Sequence, residues 1–350
     1  MGFRLGTRKL TNNANSAIST TRFMKFSSYS NTQRGASSGL FPLLTSLLLL
    51  TIHFLTGALD WPEVGNIRAQ RDFNSAIGMS ALTGYFWFAL RLMQQNVAST
   101  LISLLVRANR LSHFTYHREQ LTAQFKHQIF NATILSIMIT VVYCVLEGLI
   151  SVKQELHVLM LTATAVPFWF IAILFLFQMS SNIKYLNKKV LPCVEGNSDK
   201  LNSLSSILTL GTTNSIFAVG ALAIFPIFWL KKDIPSIDVL VVSFFTGVVL
   251  VFLFLPVFRL RRALEREQQD LLGALENDIN EGIKLCAQKD GGGMGKRLEQ
   301  LETEKERLSS KRFSAFSPRD KARIAACITL IPLSWVLLLV TEWIIQLSYY

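Results

Sequence analysis

The sequence predicts an all-α membrane protein with seven transmembrane helices, its N-terminus cytosolic and its C-terminus extracellular. Three observations lead there. Half of the 350 residues are hydrophobic and only 17% are charged, a smaller charged share than a soluble domain of this size carries. The apolar residues are bunched into blocks long enough to cross a bilayer. None of these blocks alternates apolar and polar residues with period two. In lipid every backbone N–H and C=O needs an internal partner, so each block reads as a helix.

Residues 1–39 contain no Asp or Glu and are rich in Ser, Thr, Asn and Arg. They lack an apolar core and read as a disordered basic cytosolic tail, although a mitochondrial presequence shares this composition. The start "MGFRLG" fails the myristoylation pattern, since Gly6 stands where Ser or Thr is needed. The expected spans follow at 40–59, 75–92, 129–150, 157–179, 205–230, 237–258 and 323–347. The second is the weakest, because Gly78, Gly84 and Arg91 dilute it.

The loops set the direction. The tail and the loops 93–128, 180–204 and 259–322 hold 28 Lys and Arg residues, against 5 in 60–74, 151–156 and 231–236. Basic loops stay inside, so the N-terminus is placed in the cytosol, and the net charge of +12 reports orientation rather than a nucleic-acid partner. This direction is the reverse of a G-protein-coupled receptor. The motifs of that class are also missing, since Arg91 begins no acid-Arg-aromatic triplet and no Asn-Pro pair ends the last span.

After the sixth span, "FRLRRALEREQQDLLGALENDINEGIKLC" carries Leu264, Leu271, Leu275, Ile279 and Ile283 at helical spacing. "DGGGMG" breaks the pattern, and "KRLEQLETEKERLSSKRF" returns with Leu298, Leu301 and Leu308 on one face. A cytosolic helical hairpin is expected over 259–322. It is either a solvated loop or a packing module between spans or subunits. The organisation is therefore a tail (1–39), six spans with cytosolic extensions (40–258), the hairpin (259–322) and a last span (323–350). "GGGMGKR" is not a phosphate-binding loop, because Asp290 replaces its first Gly, Arg297 replaces Ser or Thr, and no strand precedes it.

His113 and His117 are four apart, but no carboxylate or Cys completes a metal set, so they read as a solvated helix face. The "NAT" at Asn131 lies at the cytosolic end of the third span and is expected to be unmodified. Cys144, Cys193, Cys286 and Cys327 lie far apart and read as free thiols. With no nucleophile–base set, no metal motif and no acid pair, an enzyme, a cofactor and a bound metal are not expected.

Two stretches, "FLFQMSSNIKYLNKKVL" leading into "LNSLSSILTLGTTNSIFAVGALAIF" with Asn214 and Phe217, and "KRFSAFSPRDKARIAACITLIPLSWVLLLVTEWIIQL", carry a family likeness. With the topology above, the chain resembles the insect gustatory and odorant receptor superfamily, including its gustatory-receptor-like members beyond insects. The likeness covers the topology throughout, and individual residues at about 175–225 and 312–347. The last helix of that family reads Thr-Tyr, five residues, then Gln-Phe. Here Leu339, Val340 and Leu347 depart from the pattern and Gln346 matches it. The resemblance implies a homo- or heterotetrameric ligand-gated cation channel of the plasma membrane. Its last helices line the pore, its cytosolic extensions form an anchor, and a small-molecule pocket lies inside each subunit. The mitochondrial inner membrane is the alternative location, and a non-conducting scaffold the alternative function.

Ionisable groups in spans are costly in lipid, so each is a candidate. Glu342 and Gln346 are four apart and share a helix face with Leu338. Four copies would stack a carboxylate ring, an amide ring and an apolar gate, suited to monovalent cations, with divalent cations as the further expectation. The alternative is an interfacial belt with Trp343, Tyr349 and Tyr350. Glu147, with Tyr143, Phe168 and Trp169, is the expected ligand pocket, and ordinary helix packing the alternative. Arg91 is expected to snorkel to headgroups.

Overall fold

A computed structural model describes residues 37–63, 65–149, 155–194, 196–230, 236–288, 294–310 and 318–348. The expectations for the tail and for the 289–293 break lie largely outside these residues. The described chain is all helical: α1 (Ser37–Leu55), α2 (Ile67–Arg107), α3 (Phe114–Leu146), α4 (Leu156–Tyr185), α5 (Asn197–Ile224), α6 (Ser236–Gln288), α7 (Met294–Ser310) and α8 (Pro318–Ser348). Short 3₁₀ turns lie at Leu111–His113, Leu191–Cys193 and Phe225–Trp229, and a π-helical turn at Leu186–Val190. Among the described residues, α2, α3, α4 and α5 are long and apolar enough to cross a membrane. Two shorter apolar runs, Gly39–Leu55 and Thr329–Ile344, lie in α1 and α8.

The helix with the weakest apolar signal occupies the centre of the bundle. α2 begins at Asn66, whose side-chain carbonyl accepts from the Ala69 N–H at 3.1 Å and satisfies one of the free donors of the first turn. Its 41 residues rise roughly 60 Å, about twice a bilayer's hydrocarbon core. α2 packs against α1, α4, α5 and the Phe225–Trp229 turn. Its buried residues include Asp72, Asn74, Gly78, Ser80, Thr83 and Gly84.

Small side chains are what let the neighbours approach this closely. A Cβ on Gly84 would stand 1.9 Å from Ser46 Oγ and 2.8 Å from the Pro42 carbonyl of α1. Ser46 Oγ donates to the Ser80 carbonyl at 3.0 Å, tying the two helices together. On α5, Gly220 makes the same allowance for Tyr85, whose hydroxyl donates to the Phe217 carbonyl at 2.8 Å.

Two apolar cores stack along α2. One joins Leu82, Phe86 and Met93 to Phe168, Phe175 and Ala221. The other lies where the basic loops gather. It joins Leu101, Leu104 and Leu105 to Leu121, Leu186, Leu201, Leu208 and Leu264, drawing in α3, α5 and α6. Between α3 and α4 runs a buried amide ladder. Gln128 donates to Ser181 Oγ at 2.8 Å, Gln178 donates to Gln128, and Asn182 donates to Gln178 at 3.0 Å. Such a ladder pairs in only one register.

α6 has 53 residues, a rise of roughly 80 Å. α7 returns against it, with Leu298 beside Gly282 and Lys305 Nζ 3.2 Å from Glu276. The ion pair of Lys200 with Glu267 ties α6 to the start of α5. The outward face of α3 is bare and apolar at Phe130, Ile134, Ile137, Met138, Val141 and Val145.

Candidate functional site

The polar end of the bundle opposite the basic loops holds a chain of charges drawn from three helices. Arg71 Nη1 on α2 bonds Glu147 Oε2 at 3.1 Å, and Arg71 Nε lies 3.6 Å from Asp72 Oδ1. His157 Nε2 is 3.7 Å from Asp72 Oδ2, and its Nδ1 is 3.2 Å from Glu155 Oε2 just before α4.

The local structure explains why Glu147 needs this partner. It is the C-cap of α3, and its N–H donates to the Tyr143 carbonyl at 3.0 Å. Gly148 follows at φ +65°, the left-handed turn that ends many helices. A carboxylate at a helix C-terminus faces the negative end of the helix dipole, and the Arg71 guanidinium offsets that. Asp72 is buried, and charged groups in that position are paired. Beside the bridge lies a shallow depression of ≈ 400 Å³, lined by Ile67, Arg68, Arg71 and Glu147.

The four residues expected to form one ligand pocket divide into two pairs. Tyr143 lies one turn before Glu147, in the field of the same charges. Phe168 and Trp169 sit farther along α4, separated from that end by roughly 15–20 Å of helix rise. Phe168 is buried in the apolar core, and Trp169 stacks edge-on against it at 5.1 Å and faces outward. Arg71, Asp72 and His157 were not singled out by the sequence. Arg71 and Asp72 lie in the charged stretch directly before the weakest span, and His157 opens the fourth.

Among the described residues, the last helix docks along one side. α8 meets α5 and the Phe225–Trp229 turn, where Trp335 stacks on Trp229 at 5.8 Å. Leu338 is 8% exposed, turned into its own chain and off the bare face of α8. Glu342 is half-buried near that docked edge. The side chain of Gln346 lies outside the described residues. The opposite face is bare and wholly apolar at Leu333, Val336, Leu337, Val340 and Ile344.

The remaining singled-out residues lie elsewhere in the bundle. His117 is buried, its Nδ1 2.9 Å from the Tyr185 hydroxyl, which corrects the solvated face expected for it. Arg91 places its guanidinium 5.8 Å from the centre of the Phe41 ring, a cation–π contact with α1. Asn214 is fully buried, and neither end of its amide has a partner among the described residues. Cys144 and Cys193 are free thiols.

Compared with protein-family models, with curated proteins and with solved structures, the chain matches none.

Proposed function

We propose that this chain is one subunit of a multimeric, ligand-gated cation channel of the chemoreceptor type in the plasma membrane. In this reading seven helices cross, the N-terminus lies in the cytosol, and α8 of each copy stands at a shared axis. The observation that carries the reading is the one-sided docking of α8. A helix held to its own chain along one edge, with a continuous apolar face left bare, is suited to meeting further copies of itself. Gates that close by dewetting are apolar constrictions, and Leu333, Val336 and Leu337 supply that chemistry. Leu338 then anchors α8 to its own chain, and Glu342, one turn on along the same face, lies on the docked side, off that axis. The long α6–α7 hairpin serves as the anchor between subunits, and the Arg71–Glu147 end of the bundle receives the small-molecule ligand.

The test is the mass of the full-length protein in detergent, followed by reconstitution into planar bilayers. A tetramer that passes cations, with gating altered by Leu337→Ala, is the expected result. A monomer without conductance sinks the channel reading and leaves a scaffold that uses the α6–α7 hairpin to bind a partner.

A further inference from the structure

At the basic end of the bundle lies a second concavity, of ≈ 330 Å³, with chemistry unlike the first. It is lined by Arg110, His113, Tyr116, His117, Gln120, Tyr185, Lys189 and Cys193, over a floor that includes Leu105. No carboxylate is among its lining residues. Its two cations come from separate places, Arg110 just after α2 and Lys189 on the π-helical turn after α4. Like charges brought together by distant parts of a chain repel one another, and an anion relieves that repulsion.

Two further features point the same way. The first turn of α3 and the residue before it contribute His113, Tyr116 and His117, and that turn contains no acidic residue to compete for them. The π-helical turn Leu186–Val190 sets Lys189 toward the cavity, and π-turns often mark functional positions. Behind the rim, His117 Nδ1 and the Tyr185 hydroxyl are 2.9 Å apart. Both lie beyond the apolar stretches 129–150 and 157–179. Burial, with Tyr116 nearby, pushes the Tyr185 phenol up to about 12, so it keeps its proton and donates to His117. Burial, with His113 nearby, lowers His117, which leaves its Nε2–H as a neutral donor.

We propose that this pocket binds a phosphate monoester, carried either by the headgroup of an anionic phosphoinositide-type lipid or by a soluble sugar or polyol phosphate. Arg110 supplies the planar fork that matches phosphate oxygens, and Lys189 supplies a point charge at the rim. The neutral donors of His117, Gln120 and Tyr116 complete an acceptor-matching wall. Basic pockets between helices at a membrane's cytosolic side recognise phosphorylated headgroups in this way.

The test uses the full-length protein in detergent and native mass spectrometry. The probes are phosphatidylinositol phosphate, phosphatidylcholine and, separately, inositol phosphate in solution. Retention of the phosphoinositide over phosphatidylcholine, weakened roughly tenfold by Lys189→Gln and Arg110→Gln, supports the site and a lipid source. Lys188→Gln removes the same charge from the neighbouring exposed position outside the pocket, and should leave binding unchanged. Tight binding of inositol phosphate with no preference among lipids assigns the soluble source. Should Arg110→Gln fail to fold, Lys189→Gln against Lys188→Gln still decides. Equal weakening by both lysine variants, or no binding of either phosphate probe, overturns the proposal.

Discussion

α2 and α3 belong to one bundle and follow opposite rules. In the most apolar stretch of α2, 56% of the residues are buried, against 17% in the corresponding stretch of α3. α3 is the more apolar helix and α2 the less, so between these two hydropathy runs against burial, while α4, as apolar as α3, is half buried. The reason is the solvent. Between helices in lipid there is no hydrophobic drive to pack, so close approach and internal hydrogen bonds hold them together, and those favour Gly, Ser, Thr and Asn. The lipid-facing helix has only to be apolar. In this pair hydropathy reports what α3 leaves bare, and small and polar residues report what α2 shows to protein.

The sharpest way to break this contrast is to add volume on each side of it. Gly84→Ala drives a methyl against the Pro42 carbonyl, which is backbone and cannot swing away. It should cost about 1–3 kcal/mol, since overpacking forces neighbours off their rotamers. Ile137→Ala on the bare face of α3 should stay within about 0.5 kcal/mol, as surface substitutions do. Heating both variants in detergent and measuring the surviving monodisperse fraction separates them. Equal losses would mean that α2 is no more tightly held than α3.

The amide ladder gives the next effect in size. Gln178→Leu keeps the volume but leaves the amides of Gln128 and Asn182 without their shared partner. A buried polar group stripped of its hydrogen bond costs about 1–3 kcal/mol, with the lower half expected here because Ser181 still accepts from Gln128. Thermal unfolding of the variant beside Gln178→Glu reads this directly. A Gln178→Leu variant as stable as the parent would show that the ladder sets register without adding stability.

These residues also show what the sequence made legible. The helical class followed from blocks of apolar residues, and long apolar helices are what the chain contains. The place of α2 was hidden because Gly78 and Gly84 lower hydropathy, although they are the points where Phe228 and α1 press closest. Glu147 was visible as a charge in an apolar run. Its partner Arg71 lies 76 positions earlier, and no local pattern links residues at that separation. Tyr143 and the Phe168–Trp169 pair sit at different depths for a similar reason, because chemical type in two neighbouring helices does not fix depth. His117 looked solvated because its sequence neighbours are polar, while the Tyr185 that covers it comes from another helix.

The charged end sharpens the contrast at smaller scale. Arg71 and Glu147 are each about a third exposed, so water screens their attraction. A double-mutant cycle on Arg71→Ala and Glu147→Ala should return a coupling of at most about 1 kcal/mol. Its sign matters more than its size. A favourable coupling keeps the bridge as a clasp between α2 and α3 that a ligand must open, and a coupling of zero removes that role.

The smallest stability change carries the most information about function. Leu337 on α8 and Val141 on α3 are both exposed on apolar faces of the single chain. In a monomer their alanine variants should be indistinguishable, each within about 0.5 kcal/mol of the parent. Assembly through α8 makes them differ. In a background lacking Cys144, Cys193, Cys286 and Cys327, Leu337→Cys should form disulfide-linked dimers under mild oxidation in membranes. Disulfide formation needs Cα atoms within about 7 Å, a separation that two copies of one helix reach only around a shared axis or across a direct contact. Val141→Cys, facing lipid, should stay monomeric under the same treatment. Equal cross-linking at both positions would make the bare face of α8 one more lipid surface, and α8 would lose its claim to a pore.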